Sequence, residues 1–297
     1  MTASKTSNPF TIGAIQMRMS KHAKENLDKA CAMLEQAAAK GVQVACLPEL
    51  FLTEYFCQKI DHTNFNLAEP LDGPTVQRLS TVAKKTGMVI VGSIFERAGS
   101  GLYYNTAVII GADGKTIGHY RKMHIPHDPL FEEKYYFAPG DLGFKAFDTG
   151  VGKIGTLVCW DQWYPEGARL TAMQGAEVLF YPTAIGWHPK EKAEFGEAQV
   201  SAWETMQRSH AIANGVYVAA VNRIGHEMIT GNGLEFWGHS FICDPFGKIL
   251  AMASHDKEEI LTTKVDPSLI EETRRLWPFF RDRRVDAYGD VTKRFGS

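Results

Sequence analysis

The chain has 297 residues, 44% of them apolar and 22% charged, with a formal net charge of −2. This length suits one large domain or two small ones and supplies ample apolar side chains for a core. The near-neutral charge excludes the basic footprint of a nucleic-acid binder, and no apolar run approaches the length needed to span a membrane.

The five cysteines (Cys31, Cys46, Cys57, Cys159 and Cys243) are odd in number and contain no C-x-x-C. That excludes a fully paired disulfide framework and a zinc-ribbon signature. A reducing compartment, the cytoplasm, is expected. Residues 1–10 lack the apolar stretch of a signal peptide, so none is expected.

Residues 11–17 alternate and predict a strand. Residues 23–40 carry apolar groups at helical spacing (Leu27, Ala30, Cys31, Leu34, Ala38) and stop at Gly41, and residues 42–47 form a second apolar run. A strand–helix–strand unit of this kind pairs its strands in parallel. Pro48-Glu49-Leu50 follows at the carboxyl end of the second strand, where ligand sites form in open α/β sheets. A helix over 75–86 closes at Gly87. Strands over 88–95 and 103–110 follow, and Asp113-Gly114 turns the chain into a strand over 115–121. Lys122 comes next.

Residues 124–147 show little periodicity, and a loop that long in a compact domain is usually functional. An apolar run over 153–158 reads as a buried strand ending at Cys159, and Pro165 suits the first turn of a helix over 166–174. Strands over 177–181 and 216–221 flank a helix over 197–214. A meander (239–243, 248–252, 260–265) and a short helix (267–276) complete the pattern. The segments 108–117 and 241–250 echo each other as strand, Gly-Lys turn, strand. Two similar halves fit a pseudo-symmetric sandwich of two sheets with helices outside. No Gly-, Pro- or Ser-rich linker divides the chain, so residues 1–297 are expected to form a single domain. The aromatic and basic tail, 277–297, is expected to pack on a partner subunit or on its own domain.

Three chemistry-bearing residues each follow an apolar strand: Glu49, Lys122 and Cys159. Taken singly they have plain readings, a capping carboxylate, a surface charge and a small buried thiol. Together they form a set able to attack a planar carbonyl bonded to nitrogen. Glu49 can accept the thiol proton and return it to the leaving nitrogen, while Lys122 and the main-chain N–H of Trp160 can stabilise the oxyanion. Neither a cofactor nor a metal is expected. His119, His124, His127 and Asp128 match no common zinc spacing, and Gly231-Asn-Gly233 lacks the strand and helix of a phosphate cradle.

These residues lie in Leu47-Pro-Glu49-Leu, Tyr120-Arg-Lys122-Met-His124-Ile-Pro126 and Val158-Cys159-Trp-Asp-Gln-Trp-Tyr-Pro165-Glu166. Gly175-Ala-Glu, Pro182-Thr-Ala, Ala213-Asn-Gly and Val221-Asn-Arg continue the series. In this order they resemble the carbon–nitrogen hydrolases of the nitrilase superfamily over nearly the whole chain. The resemblance implies an αββα four-layer sandwich with two central mixed sheets, and a Glu49–Lys122–Cys159 triad. It also implies a second glutamate at Glu133 supporting the lysine, and pairing through a helical face into a homodimer or larger homo-oligomer.

Within that superfamily the chain is most similar to the N-carbamoylputrescine amidases. The likeness runs through Glu133-Lys-Tyr-Tyr-Phe-Ala-Pro-Gly-Asp-Leu-Gly-Phe, Ala184-Ile-Gly-Trp and Arg274-Arg-Leu-Trp-Pro-Phe-Phe-Arg-Asp-Arg-Arg. It implies hydrolysis of a terminal ureido group on a small cationic amine, giving putrescine, ammonia and carbon dioxide. Enzymes for N-carbamoyl amino acids carry paired arginines after the cysteine. Gln162 and Trp163 stand there, which disfavours an anionic substrate. Tyr55, Trp160 and Trp187, with Trp163, Tyr164 and Trp237, are candidates for the walls of a slot, and Glu54, Asp128 or Glu194 for its ammonium partner. Core packing is the competing role for each aromatic. An ω-amidase, a β-ureidopropionase-like enzyme or a nitrilase are the rival readings, and a non-catalytic binding module is the rival from another class.

Overall fold

The opening strand–helix–strand unit folds as its periodicities require. In the computed structural model, which describes residues 8–296, β1 (Phe10–Gln16) and β2 (Val44–Cys46) lie parallel, joined by α1 (Ala23–Ala39). Gly41 takes φ +82°, a left-handed turn that costs a glycine nothing and redirects the chain into β2. Next, α2 (Pro74–Thr86) ends on a left-handed Gly87 and leads to β3 (Val89–Gly99), parallel to β2. β4 (Leu102–Ile110) and β5 (Thr116–Arg121) return antiparallel.

The second half repeats this order. After α3 (Glu133–Tyr136) and β6 (Ala146–Asp148), β7 (Lys153–Thr156) leads through α4 (Pro165–Met173) to a parallel β8 (Val178–Pro182). β9 (Gly186–Trp187) and α5 (Lys192–Asn214) precede β10 (Tyr217–Val221), parallel to β8. β11 (Ile224–Glu227) and β12 (Leu234–Trp237) join β9 in a small antiparallel sheet. β13 (Phe241–Cys243) and β14 (Ile249–Met252) close the second half. β15 (Glu259–Val265) crosses back to pair with β1, and α6 (Pro267–Leu276) follows.

The two large sheets have the orders β15-β1-β2-β3-β4-β5 and β14-β13-β10-β8-β7-β6. The runs β1-β2-β3-β4-β5 and β7-β8-β10-β13-β14 therefore share one topology, three parallel strands and then two antiparallel ones. The echoing segments 108–117 and 241–250 occupy equivalent places in it. Strand alternation then sets the layers. Ile12, Ala14, Val44, Cys46, Val89 and Val91 join residues of the second sheet, such as Phe180 and Val218, in one continuous buried cluster. Their neighbours Ala45, Leu47, Ile90 and Val108 face the other way, onto Leu34 and Ala37 of α1 and Leu79 and Val82 of α2. Trp203 and Ala211 of α5 and Ala168 of α4 cover the second sheet. The result is the αββα sandwich with two mixed sheets.

Some of this escaped the sequence patterns. Residues 124–147 hold α3 and the start of β6, and the β9–β11–β12 sheet was not anticipated. Elements of two to four residues are too short for apolar periodicity to register. In the tail, Phe280 packs back on the core cluster, with the guanidinium groups of Arg169, Arg274 and Arg283 over its ring. Trp277, Phe279, Tyr288 and Phe295 remain exposed. Of the residues behind the signal-peptide expectation, 1–7 lie outside the described residues.

Candidate active site

The site gathers at strand ends. Glu49 stands just past β2, Lys122 directly follows β5, Glu133 opens α3 and Cys159 follows β7. All four side chains are buried, the three charged ones completely. Lys122 Nζ donates to Glu49 Oε1 at 2.8 Å and to Glu133 Oε2 at 2.7 Å. An ammonium has three N–H donors, so one remains for a ligand.

Glu49 uses its oxygens unequally. Oε1 also accepts from Asn105 Nδ2 at 2.7 Å. Oε2 is buried and has no hydrogen-bond partner among the described residues. A buried carboxylate oxygen without a partner is costly unless something visits it. Glu133 Oε1 accepts from the phenol of Tyr55.

Cys159 opens a short turn, Cys159–Trp163, ahead of α4, and takes φ +44°. A non-glycine residue in the left-handed region is strained, and such strain concentrates at functional positions. Asp161 holds the turn. Its fully buried carboxylate accepts from Val158 N at 2.9 Å, Tyr120 Oη at 2.8 Å and His124 N at 2.9 Å, and it contacts His124 Nδ1 at 2.7 Å. One side chain thus ties the cysteine turn to the residues flanking Lys122.

Burial pushes the Cys159 thiol well above its ordinary value, and the Glu49 charge adds to this against the pull of Lys122. Cys159 therefore rests as a thiol, and its ionisation needs a base. Burial opposes the Lys122 ammonium, but Glu133 and Glu49 outweigh it and hold its pKa well above the usual range. Burial raises the Glu133 carboxyl to about 7, against the pull of Lys122.

Cys159 lies in the wall of a cavity of about 640 Å³ with Trp160, Trp163, Phe131, Ile185 and Trp237. Asp128, Lys190 and Glu191 are its exposed charged wall residues, and no arginine lines it among the described residues. Trp160 is thus a wall residue. Tyr55 is not a wall residue: it is fully buried, its phenol is committed to Glu133 and its main-chain N–H donates to Glu227. Trp187 also lies outside the wall, because its indole N–H donates to Gly196 O on α5 and its ring packs against Trp237. Of the acidic candidates, Asp128 reaches the cavity, whereas Glu54 and Glu194 do not. Gln162 turns away from it, accepting from Trp203, Gln207 and Thr183.

Sequence reasoning missed Asn105, Asp161 and Glu191 as parts of the site. Asn105 could have been found, since a lone amide inside the apolar β4 run needs a partner.

The carbon–nitrogen hydrolase family model matches residues 11–275. The chain is 44% identical to the N-carbamoylputrescine amidase of Solanum lycopersicum, covering 94% of this chain and 93% of that one. It is 38% identical to a citrullinase of Francisella tularensis, over 96% and 98%. A crystal structure of a carbon–nitrogen hydrolase from Helicobacter pylori G27 superposes with a TM-score of 0.94 at 44% identity, covering 97% and 100%. The fold, the strand-end cluster and these likenesses agree: the chain belongs to the carbon–nitrogen hydrolase family.

Proposed function

We propose that the chain is a thiol amidohydrolase that cleaves the ureido group of N-carbamoylputrescine to putrescine, ammonia and carbon dioxide. The observation that carries the chemistry is Glu49 Oε2, which has no hydrogen-bond partner among the described residues and is buried beside a lysine that two carboxylates hold, within electrostatic reach of the Cys159 thiol. Glu49 takes the Cys159 proton as Sγ bonds to the ureido carbon. Lys122, through its third N–H, and the main-chain N–H of Trp160 receive the oxyanion. The tetrahedral intermediate expels one nitrogen, which Glu49 protonates, and leaves a thiocarbamate on Cys159. Water, deprotonated by Glu49, attacks that carbon and regenerates the thiol. The carbamic acid or carbamate released splits into carbon dioxide and the second nitrogen product.

The cavity supports a cationic amine at the far end of the substrate. Its aromatic wall suits a four-carbon stem, and cation–π contact to an ammonium contributes ~0.5–2 kcal/mol. Asp128 and Glu191 outnumber Lys190 among its exposed charges, and the arginines that would clamp a carboxylate are absent from its wall among the described residues. Lys190 favours one competitor, citrulline, whose ureido group ends in an amino acid. Ammonia release from N-carbamoylputrescine, citrulline, N-carbamoyl-β-alanine and an ω-amide decides between them. N-carbamoylputrescine should have the largest kcat/KM, and a larger value for any other substrate overturns the assignment.

Two further expectations rest on the same reading. The chain self-associates through the outer face of α4 and α5, where Leu170, Met173, Ile212 and Phe279 are exposed. It works in a reducing compartment, which suits its five free thiols.

A further inference from the structure

Behind the Lys122 cluster lies a buried ion pair that the chemistry above does not use. Arg223 follows β10 in the second large sheet, and Glu227 ends β11. Their side chains are buried and meet at 2.9 Å. Arg223 Nη2 donates to the carbonyl of Glu49 at 2.6 Å and to that of Leu50 at 3.1 Å, and Nη1 donates to that of Thr53 at 3.1 Å. Leu50 is left-handed, φ +48°, so the guanidinium sits on a strained turn directly after Glu49. Glu227 Oε2 accepts the main-chain N–H of Tyr55 at 2.6 Å, and Tyr55 holds Glu133 by its phenol. The rings of Phe236 and Tyr55 flank the guanidinium, at 5.2 and 5.8 Å from its carbon.

We propose that Arg223 and Glu227 are positioning residues. One buried pair, anchored in the second half, sets where both Glu49 and Glu133 stand against Lys122. Arg223 reaches Glu49 through its carbonyl, and Glu227 reaches Glu133 through Tyr55. Neither touches the cavity wall. Only a planar fork can serve three carbonyls and a carboxylate at once, so lysine is a poor substitute. The inference rests on Glu49 acting as the base.

The test compares Arg223→Lys and Glu227→Gln with the parent enzyme. Glutamine keeps the shape of Glu227 but has one acceptor oxygen for two donors. Two quantities are read per folded molecule: the rate of Cys159 alkylation by iodoacetamide, with the other thiols subtracted using Cys159→Ala, and the pH profile of kcat/KM. Displacing Glu49 should cost about 10²-fold in kcat with KM little changed. It should slow alkylation, and displacing Glu133 with it should move the acid limb to higher pH, because that carboxyl loses part of the pull of Lys122. A merely structural pair would lower the yield of folded protein or its melting temperature and leave both readouts alone. Parent-like alkylation rates and an unmoved acid limb in a folded variant overturn the proposal, and Glu227→Gln decides if Arg223→Lys does not fold. Alkylation needs no substrate. If the parent ignores N-carbamoylputrescine while the variants slow alkylation, the substrate assignment falls and the positioning role stands.

Discussion

Glu49 illustrates how one residue divides its labour. One oxygen is tied to Lys122 and Asn105, which fixes the carboxylate, and the other, without a partner among the described residues, suits the proton transfer proposed for it. Cys159→Ala should abolish turnover and leave the fold intact, because an alanine fills the same small buried site. Glu49→Gln and Lys122→Ala should each lower kcat by ~10²-fold or more, as loss of a general base or an oxyanion donor does. Near-parent rates for any of them would contradict its role. Glu133 adds a pH signature. Its carboxyl faces Lys122, and burial raises it to about 7 against the pull of that lysine, so Glu133 and Lys122 form an ionised pair only once it has lost its proton. An acid with a raised pKa keeps its proton to higher pH, so the ionised pair is missing below about 7 and kcat/KM should climb through that pH. Glu133→Gln removes this titrating group and leaves Glu49 as the one carboxylate bonded to Lys122 among the described residues. The limb near pH 7 should then disappear, and a stationary limb would show that Glu133 does not set it.

At the scale of elements, the site depends on how closely the 124–147 segment lies against the end of β5. Gly140 donates its N–H to Lys122 O at 2.8 Å, and a Cβ there would stand 2.0 Å from Arg121 O. The clash is with main chain, which cannot swing aside. Gly140→Ala should push the segment off Lys122, destabilising the fold by ~1–3 kcal/mol as overpacking does. The same segment carries Glu133, so activity should fall further than stability alone accounts for. Thermal melts run beside kcat measurements check both effects. Equal losses would mean that the segment supports the fold and not the lysine. Asp161 does comparable work for the cysteine turn, since its four contacts join residues 120, 124 and 158.

The whole molecule places these groups where its two similar halves meet: Glu49 and Lys122 follow strands of the first sheet, Cys159 follows a strand of the second, and Glu133 lies on the segment between them. Its outer α4–α5 face leaves Leu170 and Met173 exposed beside Phe279. Met173→Glu and Phe279→Asp together should reduce the mass measured by light scattering and leave the monomer folded. An unchanged mass would remove this face from consideration. The layers were legible in the sequence because alternating and 3.6-residue periodicities follow from burying one face of a strand or helix. The gathering of Glu49, Lys122 and Cys159 was legible because each follows an apolar run, and strand ends in such sheets collect ligand sites. Short-range pattern could not reveal the Arg223 clamp or the exclusion of Tyr55 and Trp187 from the cavity wall. Those depend on partners far apart in the chain, such as residues 49 and 223, which meet only once the two sheets have packed. What each residue faces was thus determined along the chain, and which groups share a cavity was decided by the packing of one half on the other.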